Sequence, residues 1–426
     1  MNFLEELTWR GMIKDMTPGV EEELAKGMVT GYIGFDPTAS SMTIGNYVQL
    51  MLLSFFQRSG HQPIVLMGGA TGRIGDPSGK DKERQLKSYE ELDHNLRFQQ
   101  KQAMKFLNFE DGPNKAIVVN NLDFYKEMNV LAFLRDVGKT LTVNYMTSKE
   151  SVKTRLEGTG LSFTEFSYQL LQAYDYQCLY NQYNCKLQMG GSDQWGNIMS
   201  GKEFIRKNLS KNDAHAITTP LLKRADGKKF GKSEGKNIWL DPTRTSPYQF
   251  YQFWLKANDN DLPSFLRYFS FKGREEVEAL EKEYADNPRP LKQILAEELT
   301  IRVHSQDDFE RVQTVSMLLF DRSANRDHLL GLDEKTLEAV AREIPSHTVA
   351  RELFANGVNI VDLLAEHTKI VKSKGEARRA ISGNAIAVNM HKISSIETTI
   401  NHEELLHGKY VMVENGKKNK FIITAE

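Results

Sequence analysis

Over the first 220 residues, short apolar runs alternate with longer stretches of helical period. The runs Val29–Phe35, Pro63–Met67, Ala116–Asn120 and Lys186–Met189 have strand length, and Ile44–Ser59, Tyr89–Leu107, Val130–Val137 and Phe163–Leu179 are long enough for crossover helices. This predicts an α/β unit with a mostly parallel sheet, whose ligand lies beyond the carboxyl ends of the strands. From Lys223 to Lys236 the chain turns Gly-rich and basic, predicting a mobile cationic loop. Ser246 to about Leu332 reads as helices throughout, with Tyr248, Tyr251, Phe253, Trp254 and Leu255 as apolar faces and Asn287-Pro-Arg-Pro as punctuation. Near the C-terminus, a helix Gly375–Ile381, an alternating strand Ala385–Met390 and the run Tyr410-Val-Met-Val-Glu-Asn-Gly-Lys predict a small α+β unit. In it Asn415-Gly416 marks a type I′ hairpin. The expected divisions are 1–222, a loop 223–240, a helical domain 241–332, a linker 333–355 and the α+β unit 356–426.

Composition removes several classes. Hydrophobic residues make up 40% and charged residues 26%, ordinary globular usage that excludes a disordered tail or a fibre. Lys and Arg number 55 against 56 Asp and Glu, so net charge does not point to nucleic acid and its distribution must decide. That distribution is uneven: Lys369, Lys372, Lys374, Arg378, Arg379 and Lys392 face Glu376 alone between 369 and 392. No run approaches a membrane span and Met1-Asn-Phe-Leu-Glu-Glu lacks signal-peptide features, so a cytoplasmic protein is expected. Cys178 and Cys185 form no C-x-x-C and are expected as buried thiols, with no metal site.

The richest segment is Tyr32-Ile-Gly-Phe-Asp-Pro-Thr-Ala-Ser-Ser-Met-Thr-Ile-Gly-Asn46, a strand, a turn and a helix start near Thr43. Free N–H groups and the positive dipole end suit a phosphate there, although an ordinary capped turn has the same pattern. Gly68-Gly-Ala-Thr-Gly-Arg-Ile-Gly-Asp-Pro-Ser-Gly-Lys80 fails both the P-loop and the dinucleotide fingerprint, leaving a loop with Asp76, Lys80 and Arg84. Tyr168, Gln172 and Asp175 share one face of a helix in an apolar context. Gly190-Gly-Ser-Asp-Gln-Trp-Gly-Asn197 reads as strand, turn and helix start, with Asp193 placed for a ribose diol. Lys229-Phe-Gly-Lys-Ser233 puts two lysines on a flexible loop, which suits a polyphosphate.

In this order, these segments resemble the bacterial tyrosyl-tRNA synthetases, a class I aminoacyl-tRNA synthetase family, over nearly the whole chain. The resemblance implies a Rossmann-like catalytic domain, an all-α anticodon-binding-type domain, and an S4-like RNA-binding domain carried by Ser373-Lys-Gly-Glu-Ala-Arg-Arg-Ala-Ile381 and Ala387-Val-Asn389. It implies a homodimer that joins L-tyrosine to ATP, with Mg2+, and passes the tyrosyl group to tRNA(Tyr). By match, Tyr32 and Asp175 hold the phenol hydroxyl, Asp76, Tyr168 and Gln172 receive the ammonium, and Gln194 lies near the carboxylate. Gly34, Asp36, Thr38, Thr43, Gly45, Asn46, Gly191, Asp193 and Lys232 line the ATP site. Thr38, Thr43, Asn46, Lys80, Arg84, Lys229, Lys232 and Ser233 form the catalytic set, and Lys372, Lys374, Arg378, Arg379 and Lys392 meet RNA. Two departures stand out: Thr43-Ile-Gly-Asn46 replaces the usual His-Ile-Gly-His, and Ile33 replaces a common cysteine. Threonine and asparagine can still donate to phosphate oxygens. An RNA-binding relative without catalysis and a tryptophan-activating enzyme are the alternatives.

Overall fold

All four expected strands form, and they set the frame for everything else. In a computed structural model, residues 2–78, 86–228, 230–233, 235–321, 323–416 and 419–426 are described, with Ser233 as backbone alone. The chain divides into one unit of Met1–Thr245 with Trp254–Leu299, and another of Ser246–Phe253 with Thr300–Glu426.

The first unit holds a six-stranded sheet of β1 (Asp15–Met16), β2 (Thr30–Phe35), β3 (Gln62–Met67), β4 (Ile117–Asn120), β5 (Cys185–Gly191) and β6 (His215–Thr219). Its order is β1-β6-β5-β2-β3-β4, parallel except where β1 runs against β6. β1 and β6 were not anticipated: β1 is two residues long, and His215-Ala-Ile-Thr-Thr carries a polar pattern although every residue of it is buried. The chain builds outward from β2 to β3 and β4, then returns to β2's other side as β5. Parallel neighbours that part in this way leave a crevice at their carboxyl ends.

Tyr32, Ile64, Leu66 and Val119 from the sheet pack with Tyr176 and Leu179 of the helix Phe163–Tyr183 and Ile205 of the helix Trp195–Leu209. Each such side chain contributes about 1.5–3 kcal/mol by leaving water. The expected single helix at 130–137 is instead one α-turn, Val130–Ala132, continuing as a π-helix, Phe133–Gly138. Among the described residues no helix is long and apolar enough to cross a membrane.

The helical stretch 241–332 does not stand apart as expected. Residues 254–299 join the sheet unit because buried Arg10 donates to the carbonyls of Arg267, Ser270 and Lys272, and Tyr47 stacks on Phe269 at 5.6 Å. Residues 300–332 join the C-terminal unit, whose sheet runs His391–Lys392, Ile386–Val388, Tyr410–Asn415, Asn419–Ala425 and Ser346–Val349 in spatial order. Along Tyr410–Asn415, Val411 and Val413 enter one core with Ile381 and Phe354, while Tyr410 and Met412 enter another with Val315, Leu318, Leu337 and Val340.

The expected linker 333–355 is therefore structured. Its helix Glu334–Glu343 buries Leu337 and Val340, and its strand Ser346–Val349 pairs in parallel with Ile422–Ala425. A three-residue apolar spacing in a charged segment was enough to make a packed helix. The hairpin at Asn415 also forms, but Asn415 pairs with Asn419, so three residues rather than two separate the strands.

Candidate functional site

A cavity of about 320 Å³ opens at the carboxyl ends of β2 and β5. It is lined by Tyr32, Gly34, Asp36, Thr38, Gly45, Asn46, Asp76, Tyr168, Gln172, Asp175, Gly191, Asp193 and Gln194, residues expected there from sequence. Thr71, Asn121, Gln49 and Gln188 line it too and were missed. Asn121 follows β4 directly, so its place after a parallel strand was the available signal.

At the inner end, Asp175 is 1% exposed. Its Oδ2 accepts from Asn121 Nδ2 at 2.8 Å, and its Oδ1 lies 2.8 Å from the Tyr125 hydroxyl. Burial pushes the carboxyl up to about 7, opposed by these two hydrogen bonds and assisted by the nearby Asp36. Beside it the buried Tyr32 hydroxyl has no partner among the described residues. Burial first, then the charge of Asp175, holds that phenol well above its ordinary range, so it stays a neutral donor.

The middle of the cavity is acidic and ordered. Asp36 Oδ1 accepts from Thr71 Oγ1 at 2.6 Å, and Oδ2 accepts from the Tyr168 hydroxyl at 2.9 Å. Tyr168 thereby spends its hydrogen and keeps oxygen lone pairs for a donor. A Cβ at Gly68 would sit 2.1 Å from Asp36 Oδ1, which explains a glycine there. Asp76 Oδ2 accepts from Gln194 Nε2 at 2.6 Å, and Oδ1 accepts from the Ser78 amide at 2.9 Å. Gln194 thus orients Asp76 with one amide hydrogen, a role its expected place by a carboxylate did not include. The side-chain oxygens of Gln49, Gln172 and Gln188 are buried and unpartnered among the described residues. Buried polar atoms are nearly always satisfied, so the Tyr32 hydroxyl and the Gln49 and Gln172 oxygens, all on residues that line the cavity, mark places for ligand atoms, whereas the Gln188 oxygen lies against Gly201.

At the outer end, Thr43 caps the helix Ile44–Arg58. Its hydroxyl donates to Asn46 Oδ1 at 2.8 Å and accepts from the Asn46 amide at 3.4 Å, and its own amide donates to the same Oδ1 at 2.9 Å. Its hydroxyl hydrogen is engaged in the cap, and Thr43 does not line the cavity. Asn46 does, and the capping bonds leave its Nδ2 hydrogens unused.

The cationic loop is tied to this same helix end. The amide of Ile44 donates to the Ile238 carbonyl at 2.9 Å, and the Ile238 amide donates to the Gly231 carbonyl at 3.0 Å. Gly231 has φ +90°, and a Cβ on it would lie 2.9 Å from Ile44 Cγ2. Phe230 packs among Trp254, Phe265 and Phe269, with centroids 5.1–6.0 Å away. Lys232 is exposed on the two-stranded ribbon 232–237 and does not line the cavity. Lys80, Arg84 and Lys229 lie outside the described residues, as does the side chain of Ser233.

In the C-terminal unit, Lys372, Arg378 and Arg379 are exposed on and just before the helix Lys374–Ser382, and Lys392 is exposed on the strand His391–Lys392. Lys374 is different: its ammonium pairs with Asp362 at 2.7 Å and Glu366 at 2.9 Å, which offsets its charge. Both cysteines are buried free thiols.

Residues 25–321 match the family described as tRNA synthetases class I (W and Y). The chain belongs to that family. Residues 336–423 match the tyrosine–tRNA ligase SYY-like C-terminal domain. Over its full length the synthetase is 50% identical to the tyrosine–tRNA ligase of Bacteroides fragilis, covering all of both chains, and 52% identical to that of Cytophaga hutchinsonii, covering 99% of each. Among solved structures, a C-terminally truncated mitochondrial tyrosyl-tRNA synthetase from Aspergillus nidulans superposes with TM-score 0.66 at 30% identity, over 75% of this chain and 94% of that one. The enzyme from Archaeoglobus fulgidus complexed with L-tyrosine, TM-score 0.52 at 18% identity over 73% of this chain and 99% of that one, shares the fold.

Proposed function

We propose that the synthetase is a tyrosine–tRNA ligase that activates L-tyrosine with ATP and transfers it to tRNA(Tyr). The observation that carries this reading is the inner end of the cavity, where the unpartnered Tyr32 hydroxyl stands beside the Asp175 carboxylate. A phenol both accepts and donates, so it takes Tyr32 as donor and Asp175 as acceptor. Phenylalanine leaves both unanswered, and an indole N–H, which only donates, leaves Tyr32 unanswered.

The ammonium then lies toward Asp76, the oxygen of Tyr168 and the free Oε1 of Gln172, all acceptors. The substrate carboxylate attacks the α-phosphorus in line, forming the acyl–phosphate bond as the bond to pyrophosphate breaks. In the second step a terminal ribose hydroxyl of tRNA attacks the acyl carbon and releases AMP. Neither step needs a covalent enzyme intermediate; orientation and charge stabilisation supply the rate. Asn46 Nδ2 and Lys232 serve the phosphates, with Lys80, Arg84, Lys229 and Ser233 as expected partners. Magnesium enters on the ATP phosphates as part of the substrate; among the described residues no cluster of three or more His, Cys, Asp or Glu side chains suits a metal ion.

The synthetase works in the cytoplasm as a homodimer in this reading. Val130, Leu131, Leu134, Val143, Leu156 and Phe163 are 49–78% exposed, on elements packed around Val137, Leu141, Met146 and Leu170. So many outward apolar side chains on neighbouring elements favour burial against a second copy. Lys372, Arg378, Arg379 and Lys392 bind tRNA phosphates. The alternative of an RNA-binding relative without catalysis has no use for unpartnered polar oxygens on residues that line an acidic cavity.

The test is ATP–pyrophosphate exchange with tyrosine, phenylalanine or tryptophan. Exchange with tyrosine alone is expected. No exchange with any of the three by folded protein with magnesium would sink the enzymatic reading, and exchange with tryptophan would overturn the substrate.

A further inference from the structure

We infer that Tyr125 is a positioning residue for amino-acid selection, holding Asp175 in its charged, phenol-accepting form. The inference rests on the reading of Asp175 as the phenol acceptor. Asp175 reaches the cavity from the helix Phe163–Tyr183, but its two carboxylate oxygens are held from outside that helix. Asn121, immediately after β4, takes Oδ2, and Tyr125, four residues on, takes Oδ1 at 2.8 Å. The Tyr125 hydroxyl has a single hydrogen and also lies 3.0 Å from the Leu171 carbonyl, one helical turn before Asp175, so the two acceptors compete for it and the ionised carboxylate is the stronger. Its ring packs on Tyr174 with centroids 5.7 Å apart, so the hydroxyl is held in place from two sides.

Among the described residues no cation balances this carboxylate. The titratable groups that act on or are acted on by it are Tyr32 and Asp36 from the end of β2, Tyr125, and Tyr168, Tyr174 and Cys178 on its own helix. None carries positive charge, and Asp36 opposes ionisation. A carboxylate in that setting is kept charged by hydrogen bonds alone, and only two side chains among the described residues donate them. Protonated, Asp175 would turn one oxygen into a donor and lose its preference for a phenol hydroxyl over a bare ring. Selection for tyrosine should therefore depend on pH, through a group that Tyr125 tunes without facing the cavity.

The experiment is ATP–pyrophosphate exchange from pH 6 to 9, scored as the ratio of kcat/KM for tyrosine to that for phenylalanine. Taking the ratio cancels titration of the substrates' ammonium and of ATP. In the parent enzyme the ratio should fall as pH drops through about 7. In Tyr125→Phe, which keeps the ring, the inflection should rise by about one pH unit, lowering the ratio about fivefold at pH 7 and hardly at all at pH 9. In Asp175→Asn the ratio should be low and flat, and adding Tyr125→Phe to it should change nothing further.

A flat profile in the parent enzyme, or an unshifted inflection in Tyr125→Phe, would overturn the role of Tyr125. A pH-independent loss in Tyr125→Phe would assign the residue to packing instead. An unchanged ratio in Asp175→Asn would show that the site reading itself fails, which separates the two failures. Should Tyr125→Phe not fold, the profile of the parent enzyme and of Asp175→Asn still decides whether a pH-dependent acceptor exists for it to tune.

Discussion

Tyr32→Phe removes one oxygen from the floor of the cavity, and its consequences can be worked in both directions. The hydroxyl is buried without a partner among the described residues. An unsatisfied buried donor costs about 1–3 kcal/mol, so its deletion should stabilise the ligand-free protein by about 2 kcal/mol. At about 2–4 °C per kcal/mol for a unit of this size, melting should rise by about 4–8 °C. The same free energy returns in binding with opposite sign. In the parent enzyme tyrosine satisfies the stranded hydroxyl, and in the variant that gain is gone. About 2 kcal/mol corresponds to about a 30-fold loss in kcat/KM for tyrosine. Phenylalanine never satisfied the hydroxyl, so its kcat/KM should stay the same. Thermal melts without ligand and exchange kinetics with both amino acids test the pair of numbers. A variant that melts at or below the parent while keeping tyrosine kcat/KM within about twofold would refute the claim that this hydroxyl waits for the substrate.

Asp175 titrates at about 7 in the folded protein against 3.8 in the free side chain, so the native state holds a proton that the unfolded chain releases. Its contribution to stability is full below pH 4 and is lost as pH rises through 7, roughly 2–3 kcal/mol between pH 5 and 8. Urea unfolding of ligand-free parent and Asp175→Asn at both values should show that difference, and equal changes would contradict it. Arg155 and Glu165 pair at 2.7 Å with side chains 6% and 1% exposed, so Arg155→Met should cost about 3–5 kcal/mol by stranding Glu165; a loss below 1 kcal/mol in urea unfolding would argue against it. Leu131→Glu should give monomers in analytical ultracentrifugation, because Leu131 is 78% exposed in the outward apolar group; a retained dimer would place the interface elsewhere. Arg378→Glu with Arg379→Glu should weaken tRNA binding and lower the slope of log affinity against log salt by about 2, and an unchanged slope would remove this helix from the RNA interface.

Much of the cavity was legible because helices and strands have fixed periods. Tyr168, Gln172 and Asp175 fall on one helical face whatever else happens, and all three line the cavity. Glycine turns after β2 and β5 could likewise be assigned, since a parallel strand must end in a loop that meets its neighbours' loops. The hairpin at Asn415-Gly416 was visible for the same local reason, although its loop length was set by how Asn419 pairs.

Less local features escaped. Thr43 and Asn46 looked like two phosphate donors, but in the helix cap one side chain consumes the other's hydrogen. Lysines mark the loop around 229–236, yet its attachment comes from Phe230 among three aromatics and from backbone bonds to the helix start. The stretch 333–355 passed for a linker because the helix Glu334–Glu343 is largely charged, and its few apolar positions acquire meaning from the sheet face they cover.

What the amino-acid order determined by itself was therefore the inventory: which residues share a face, where strands end and which polar groups reach the crevice. The protonation balance of Asp175, the stranded hydroxyl of Tyr32 and the acceptor state of Tyr168 were decided by tertiary structure alone. Asn121 and Tyr125 stand 54 and 50 residues from the carboxylate they hold. Burial and hydrogen-bond partnership are properties of space, and no period along the chain encodes a contact made by bringing β4 beside a distant helix.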